Sequence, residues 1–232
     1  MRLIRLAAMA LALVSAGTLS GAATRSAPGN WNVRVEVTPS GSHVLGNPAA
    51  ALKLSEYISY TCSHCANFDR EASDRLRIYG IAQGKLSVEV RHLLRDPIDL
   101  TVAMLTNCGP PARFFANHTM FLRSQSRWMA SANSATAAQQ ARWNAGSQKS
   151  RLQSIATDFG FFEIMAGRGY DRMTVERCLA DPVMAQKLAA QTSEAERLGI
   201  DGTPSFLLNG ELLAGTHDWA SLKAQLDARL SQ

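Results

Sequence analysis

Residues 56–68 read Glu-Tyr-Ile-Ser-Tyr-Thr-Cys-Ser-His-Cys-Ala-Asn-Phe, and this stretch decides how the chain is interpreted. Apolar residues alternate over the overlapping range 52–60, which predicts a β-strand. From Cys65 onward, apolar residues recur at helical spacing as far as Gly80, which predicts a helix. Cys62 and Cys65 therefore lie where a strand passes into a helix.

The spacing of these two cysteines suits reversible disulfide chemistry. Residues three apart in the first turn of a helix face each other, so Cys62 and Cys65 can close a small ring. At a helix N-terminus, unpaired backbone N–H groups and the helix dipole stabilise a thiolate on Cys62. His64 can add a positive charge beside the same sulfur. We expect Cys62 to be the exposed nucleophile that enters a mixed disulfide, and Cys65 to be the buried resolving thiol.

Three other uses exist for such a cysteine pair. A zinc knuckle needs a second pair of ligands at short spacing, whereas Cys108 and Cys178 are isolated. A c-type haem site needs a histidine after the second cysteine, where this chain has Ala66. A purely structural disulfide is the third use, although so tight a ring at a helix start is an uncommon staple. The redox interpretation is favoured, and we expect neither a metal site nor an organic cofactor.

The N-terminal segment has the layout of a secretory signal peptide. Arg2 and Arg5 precede a mostly apolar stretch, and small residues around Ala22 and Ala23 offer a cleavage site. A retained membrane anchor is the alternative, but the apolar stretch is shorter than the roughly 20 residues of a spanning helix. We predict a cleaved signal peptide over residues 1–23, and hence export.

Net charge and histidine content indicate less about function than the cysteine motif does. The formal net charge is +5 and Lys and Arg form no run, so no nucleic-acid partner is expected. Histidines outside the cysteine motif are scattered along the sequence, and structural roles are expected for them. They are His43, His92, His118 and His217.

The remaining patterns predict an α/β sheet interrupted by helices. Strands are predicted at 33–37 and 86–90, with a turn-rich stretch from Pro39 to Pro48. Asp96 and Pro97 are expected to open a helix. Asn209-Gly210 predicts a β-hairpin, and the range 219–230 predicts a closing helix.

The middle of the chain is predicted to be a helical insertion. The range 112–198 reads as helical almost throughout. Within it, the range 130–141 is rich in Ala, Ser and Gln, and is expected to be a mobile loop or a poorly packed helix. We assign 24–107 to the first part of the fold, 108–198 to the insertion and 199–232 to the second part.

Two further features support redox chemistry. Pro204 enters a predicted central strand, where proline is unwelcome unless it forms a cis bond at a turn. Glu56 shares the inward, apolar face of its strand, so we expect it to stay protonated at neutral pH or to pair. It is a candidate proton relay for Cys65, whereas the plainer alternative places it at a strand edge in solvent.

Taken together, these residues resemble the DsbA-like branch of the thioredoxin superfamily. The resemblance rests on the range 56–68, the helical insertion and Gly202-Thr-Pro-Ser-Phe206, and it covers nearly all of the mature chain. It implies a thioredoxin fold with an inserted helical domain, a periplasmic location and disulfide donation to exported proteins. It also implies that Pro204 is cis beside the cysteine pair, and that the Thr203 backbone can pair with a substrate strand.

Two positions depart from the best-known pattern of that family. Ser63 stands in the ring where proline is usual, and Thr203 stands before Pro204 where valine is common. Both residues, together with Pro204, are expected to touch substrate or the reactive sulfurs, so they bear on the redox potential. Threonine before this proline also occurs in isomerase-like and reductase-like relatives.

The other two cysteines, Cys108 and Cys178, flank the predicted insertion. In an oxidising compartment an even number of cysteines usually means disulfides, so we predict a structural bridge between them. Two free buried thiols are the alternative.

The leading functional prediction is a periplasmic thiol:disulfide oxidoreductase that donates the Cys62–Cys65 disulfide. Its expected partners are exported proteins with free thiols and a membrane protein that reoxidises the active site, and we expect a monomer. The first alternative is a disulfide reductase or isomerase of the same fold. The second is a chaperone or binding module without redox turnover.

Overall fold

A computed structural model describes residues 29–230 of the chain. The predicted signal peptide at residues 1–23 lies outside the described residues.

The strands form one mixed sheet of six, in the spatial order β1-β2-β4-β3-β5-β6. Only the central pair, β3 and β4, is parallel among the described strands, and every other neighbouring pair is antiparallel. The strands are β1 (Val35–Val37), β2 (His43–Gly46), β3 (Leu52–Ile58), β4 (Leu86–His92), β5 (Ser205–Leu208) and β6 (Glu211–Leu212).

Ten α-helices accompany the sheet in the described range. A π-helical turn, Arg77–Ile81, follows α1, and a 3-10 turn, Pro111–Arg113, precedes α3. The α-helices are α1 (Ser63–Leu76), α2 (Pro97–Thr106), α3 (Phe114–Arg123), α4 (Gln125–Asn133), α5 (Ala137–Asn144), α6 (Gln148–Asp158), α7 (Phe161–Ala166), α8 (Arg172–Leu179), α9 (Pro182–Arg197) and α10 (Trp219–Leu230).

The connection β3-α1-β4 is the unit that positions the cysteines. Because β3 and β4 are parallel, the chain has to cross back over the sheet, and α1 makes that crossing. Helices α2 to α9 then intervene before the chain returns to the sheet at β5, which pairs with β3. The α/β class with helices inserted between sheet strands is therefore confirmed.

One hydrophobic core includes residues of both the sheet and the inserted helices. Leu54 and Val90 of the sheet belong to the same buried cluster as Phe121, Trp128 and Trp143 of the inserted helices. Since burial of apolar area is the main stabilising term of folding, the insertion and the sheet depend on shared packing.

Local signals placed most elements correctly. Asp96 caps α2 as predicted, because its side chain accepts from the backbone N–H groups of Ile98 and Asp99. The hairpin turns at Asn209 and Gly210, both with positive φ, as a tight hairpin requires.

One local expectation was wrong, and one was settled between its two alternatives. The stretch expected to be only turn-rich contains β2, whose four residues pair with β1 and β4. The Ser, Gly and Pro residues on either side of β2 are typical of turns, so the sequence pattern did not predict a strand there. The strand is defined by its main-chain pairing. Of the two alternatives for the range 130–141, the structure shows the poorly packed helix. The range contains the end of α4 and the start of α5, none of its residues is buried, and Thr136 and Gln139 begin α5 with a reciprocal capping box.

The structure joins Cys108 and Cys178 by a disulfide across a sequence separation of 70 residues. Cys108 follows α2, and Cys178 lies in α8. The bridge thus links the start of the inserted helices to a helix near their end.

Replacing both of these cysteines, as Cys108→Ala with Cys178→Ala, should lower the free energy of unfolding by about 4 kcal/mol. A bridge across so long a loop removes much conformational entropy from the unfolded chain. Urea unfolding of both proteins, each with Cys62 and Cys65 held oxidised, measures the difference. An unchanged urea midpoint, or alkylation of Cys108 in the native unreduced protein, would contradict the expectation.

Candidate active site

The cysteine pair lies at the junction between β3 and α1. Strand β3 ends at Ile58, residues 59–62 form a loop, and α1 begins at Ser63. Cys62 has the extended backbone of an N-cap residue, and its carbonyl oxygen accepts from the Ala66 N–H at 3.3 Å. The predicted position of the pair between a strand and a helix is therefore what the structure shows.

Cys62 occupies surroundings that favour its anion. Its pKa is lowered from 9.0 to about 5, chiefly because the Cys65 thiol hydrogen-bonds to the Cys62 sulfur. Burial opposes this effect, while the Thr203 side chain and the backbone N–H groups of Cys65 and His64 add to it. At neutral pH the sulfur of Cys62 is therefore a thiolate.

The surroundings of Cys65 favour its protonated thiol rather than its anion. Its pKa is raised well above 9.0, first by burial and then by its interactions with Cys62. Neither cysteine is bonded in a disulfide in this structure. One proton is thus held on Cys65 while Cys62 is ionised, which is the asymmetry that stepwise thiol exchange requires.

Cys62 is less accessible than the sequence suggested. We expected an exposed nucleophile, but the residue is only 4% exposed, against 0% for Cys65. The reason is the loop before β5: the Cys62 sulfur lies 3.2 Å from the Thr203 carbonyl oxygen, to which it donates only when it is protonated. Ser63 and His64, between the cysteines, are the exposed members of the motif.

The loop before β5 brings a proline beside the cysteines. The Thr203–Pro204 peptide bond is cis. Pro204 is buried and its carbonyl oxygen accepts from Nδ1 of His217 at 2.8 Å, which fixes that histidine with its proton on Nδ1. The antiparallel pairing of β5 with β3 aligns Ser205 with Tyr57, so the cis bond falls opposite the loop that carries Cys62.

Glu56 is buried, so the alternative of a solvent-exposed edge residue was wrong. Its pKa is raised from 4.5 to about 8, mainly by burial and further by Asp69. The side chain faces a cavity of about 40 Å³ whose other polar walls include Asp69, Arg77 and His118. That volume has room for water, and the wall does not include Cys65.

Four side chains that sequence reasoning did not assign to the site hold residues 59–62 in place. They are Asp96, Asp99, His118 and Gln125, all beyond β4 in sequence. Apart from the capping pattern at Asp96, no local sequence signal marks them, because their partners lie 35 to 65 residues away.

Asp99 makes two of these contacts, as many as Gln125. It accepts from the Ser59 hydroxyl at 2.6 Å and from the Tyr60 backbone N–H at 2.7 Å. Its carboxyl is fully buried, and burial raises its pKa to about 7. The Thr61 hydroxyl donates to Asp96 at 2.8 Å, so the loop is tied on both sides of Tyr60.

Three of the histidines that are scattered in sequence meet in space. His43 stacks on Phe114 with ring centroids 4.0 Å apart, and His92 and His118 contact the same ring. Burial lowers the pKa of all three well below 6.5. They are buried neutral residues, and two of them meet Tyr60 of the loop. His118 hydrogen-bonds through its Nδ1 to the Tyr60 hydroxyl at 2.9 Å, and the His92 ring lies 5.8 Å from the Tyr60 ring between centroids.

Within residues 29–230 no group of three or more His, Cys, Asp or Glu is arranged to hold a metal ion. In the same range, no helix combines the length and the apolar character that crossing a bilayer demands.

Glu56→Gln should change how stability depends on pH. A carboxyl whose pKa is about 8 when folded and 4.5 when unfolded binds its proton more tightly in the folded state. Its contribution is therefore complete below pH 4.5 and is lost as the pH rises through 8. Between these limits the wild type should lose about 1.4 kcal/mol per pH unit relative to the Gln variant.

Urea unfolding across that pH range measures this slope, and Glu36→Gln, at an exposed position on β1, is the matched control. Parallel pH profiles for the wild type and the Glu56→Gln variant would mean that Glu56 is ionised without penalty.

Comparison with known proteins agrees with the fold. A family model described as thioredoxin matches residues 38–228. The protein-disulfide isomerase from Novosphingobium aromaticivorans is 52% identical, with a TM-score of 0.80 over 83% of this chain and 98% of that one.

More distant structures share the fold. Alpha-DsbA1 from Wolbachia pipientis is 21% identical, with a TM-score of 0.64 over 83% of this chain and 92% of its own. BdbD from Bacillus subtilis is 15% identical, with a TM-score of 0.59 over 82% and 92%.

One curated relative is a larger protein. A Na⁺/H⁺ antiporter NhaA from Herminiimonas arsenicoxydans is 25% identical over 195 residues, which is 83% of this chain. The chain spans about a quarter, 26%, of the length of that relative. The family model over residues 38–228 shows that the chain belongs to the thioredoxin family, and the free cysteine pair beside a cis proline agrees with it.

Proposed function

We propose that this protein is a periplasmic oxidase that donates the Cys62–Cys65 disulfide to exported proteins with free thiols. The observation that carries the proposal is the opposite displacement of the two thiol pKa values, down to about 5 at Cys62 and well up at Cys65. Stabilising the Cys62 thiolate stabilises the reduced protein over the oxidised one. The disulfide is therefore readily transferred.

Donation proceeds by two thiol–disulfide exchanges. A substrate thiolate attacks the Cys62 sulfur, so that a mixed disulfide forms and the Cys62–Cys65 bond breaks. The electron pair leaves on Cys65, which takes up a proton, as its raised pKa favours. A second substrate thiolate then attacks the substrate sulfur of the mixed disulfide and releases Cys62 as a thiolate. Two electrons have passed to the protein, and the substrate holds a new disulfide.

Other residues of the site have roles in this scheme. The exposed Ser63 and His64 meet the incoming substrate, and His64 can favour the thiolate when it is protonated. The Thr203 backbone, ahead of the buried Pro204, offers main-chain pairing to an extended substrate segment. Such main-chain pairing depends little on the amino-acid sequence of the substrate.

Glu56 is proposed to exchange the proton that Cys65 gains and loses. Its pKa of about 8 keeps it protonated at neutral pH yet able to release a proton. Because Cys65 does not line the cavity at Glu56, the proton has to pass through an intervening group or a water molecule.

The cycle needs a partner that removes the two electrons. We propose a membrane protein that reoxidises Cys62 and Cys65, with the present protein acting as a monomer in the periplasm. The predicted signal peptide at residues 1–23 supports export.

An isomerase is the second candidate function. The relative that is 52% identical is named a protein-disulfide isomerase, and Thr203 precedes the cis proline here. In that role the Cys62 thiolate of the reduced protein attacks a mispaired substrate disulfide and is released again when the correct pair forms.

Measuring the reduction potential of the Cys62–Cys65 pair in glutathione buffers, with alkylated peptides counted by mass, tests the direction of the reaction. We expect a potential more positive than roughly −200 mV, the range of labile disulfides. The oxidised protein should also oxidise a reduced, unfolded substrate faster than the reduced protein repairs a scrambled one. A strongly negative potential, together with faster repair, would favour the reductase or isomerase function.

Cys62→Ser is the matched control for that experiment and should abolish disulfide donation, because no mixed disulfide can form at this position. A Cys62→Ser variant that keeps full activity would point instead to a chaperone or binding module.

The lowered pKa of Cys62 should make the stability of the reduced protein depend on pH. A thiol with a pKa of about 5 when folded and 9.0 when unfolded stabilises the folded state fully above pH 9, and the effect is lost as the pH falls through 5. From pH 7 down to pH 5, the stability of the reduced protein relative to the oxidised protein should fall by about 1.4 kcal/mol per pH unit.

Paired urea titrations of the two redox states measure this slope, and thiolate absorbance gives the pKa directly. Cys65→Ala, which removes the thiol donor to Cys62, should raise that pKa. A Cys62 pKa near 9 in the wild type would contradict the prediction.

A further inference from the structure

Gln125 reaches the cysteine motif from the helical insertion. It is the first residue of α4 and is only 7% exposed. Its side-chain Nε2 donates to the Tyr60 carbonyl oxygen at 2.7 Å and to the Cys62 carbonyl oxygen at 2.8 Å. One amide group thus holds the carbonyl groups on both sides of Thr61.

The orientation of this amide follows from its partners. A backbone carbonyl oxygen can only accept a hydrogen bond, and Gln125 meets two of them. The –NH₂ group has two donors, one for each acceptor, whereas the flipped amide would place its oxygen against both carbonyls. The arrangement therefore requires a side chain with two donors.

We propose that Gln125 is a positioning residue for Cys62, and that through it the helical insertion sets how strongly the active-site thiolate is stabilised. The Cys62 carbonyl that Gln125 binds also accepts the Ala66 N–H at 3.3 Å, the hydrogen bond that starts α1. Fixing this carbonyl fixes the first turn of α1. That turn carries the N–H groups of His64 and Cys65, which hydrogen-bond to the Cys62 sulfur.

Gln125 differs from the other groups that anchor the loop. Asp99 binds Ser59 and the Tyr60 N–H, and Asp96 binds the Thr61 hydroxyl. Both therefore hold residues that precede Cys62 in the chain. Among the hydrogen bonds described for the inserted helices, that of Gln125 is the one that reaches Cys62 itself. Loss of Asp99 or Asp96 would loosen the loop, whereas loss of Gln125 would free the residue that bears the charge.

The inference rests on the proposed role of Cys62 as a stabilised thiolate. Without Gln125, the first turn of α1 is free to move and its N–H groups point less directly at the sulfur. The thiolate should then be less stable, and the disulfide should be harder to reduce.

The test compares Gln125→Met with the wild type. Methionine has a similar length and no donor, so packing is largely kept while both hydrogen bonds are lost. Two quantities are measured: the pKa of Cys62 from thiolate absorbance, and the equilibrium constant of the Cys62–Cys65 disulfide with glutathione. We expect the pKa to rise by roughly half a unit or more, and the equilibrium to shift about threefold toward the disulfide form.

Gln191→Met is the matched control. Gln191 is also buried, and it binds the backbone N–H and Nδ1 of His92 and the Ser40 carbonyl oxygen. Within the described residues it makes no hydrogen bond to residues 59–62. Its replacement should lower thermal stability as much as that of Gln125, yet leave the Cys62 pKa and the glutathione equilibrium unchanged.

If Gln125→Met does not fold, Gln125→Asn takes its place, because its amide keeps two donors on an arm too short to reach both carbonyls. Unchanged pKa and equilibrium in a folded Gln125 variant, with stability reduced as in Gln191→Met, would overturn the inference and leave Gln125 a structural residue. A wild-type Cys62 pKa near 9 would instead contradict the proposed function, whatever the Gln125 variants do.

Discussion

The sulfur of Cys62 carries a negative charge at neutral pH, and the surrounding structure is arranged around that charge. Its pKa of about 5 results from hydrogen bonds that converge from the Cys65 thiol, the Thr203 side chain and the first turn of α1. These donors come from two separate segments of the chain, one on each side of the inserted helices. Burial alone would have raised the pKa. The thiolate therefore exists only as long as the donors are held in position.

Other titratable groups buried in the interior are displaced toward their neutral forms. Burial raises the pKa of Glu56 to about 8 and of Asp99 to about 7, and it lowers those of the three histidines around Phe114. A charge on any of them would be costly in an apolar interior. Their neutrality also means that Cys62 is not opposed by a fully ionised carboxylate at Glu56. The cost of burying these groups is offset by the apolar core that they share with the inserted helices.

The inserted helices do more than enlarge the core. The Cys108–Cys178 disulfide joins the start of this region to α8, and Gln125 and His118 extend from it to the loop of residues 59–62. The fold itself is shared with proteins that carry different names, including an isomerase and DsbA-type structures. Since one fold can serve several functions, the residues next to the two sulfurs, rather than the fold, would set the direction of the proposed reaction. Ser63 and Thr203 belong to the same small set of positions.

The sequence by itself determined the features that depend on near neighbours. The strand-to-helix junction at Cys62, the cap at Asp96 and the hairpin at Asn209-Gly210 follow from residues a few positions apart, because helix caps and turns are local structures. The inward face of β3 likewise predicted the burial of Glu56. Tertiary structure decided everything that joins distant segments. The contacts of Asp99 and Gln125 with the active-site loop, the low exposure of Cys62 beneath Thr203, and the meeting of three histidines around Phe114 could not be predicted, since no periodicity or spacing records which side chains become neighbours after the sheet and helices have packed.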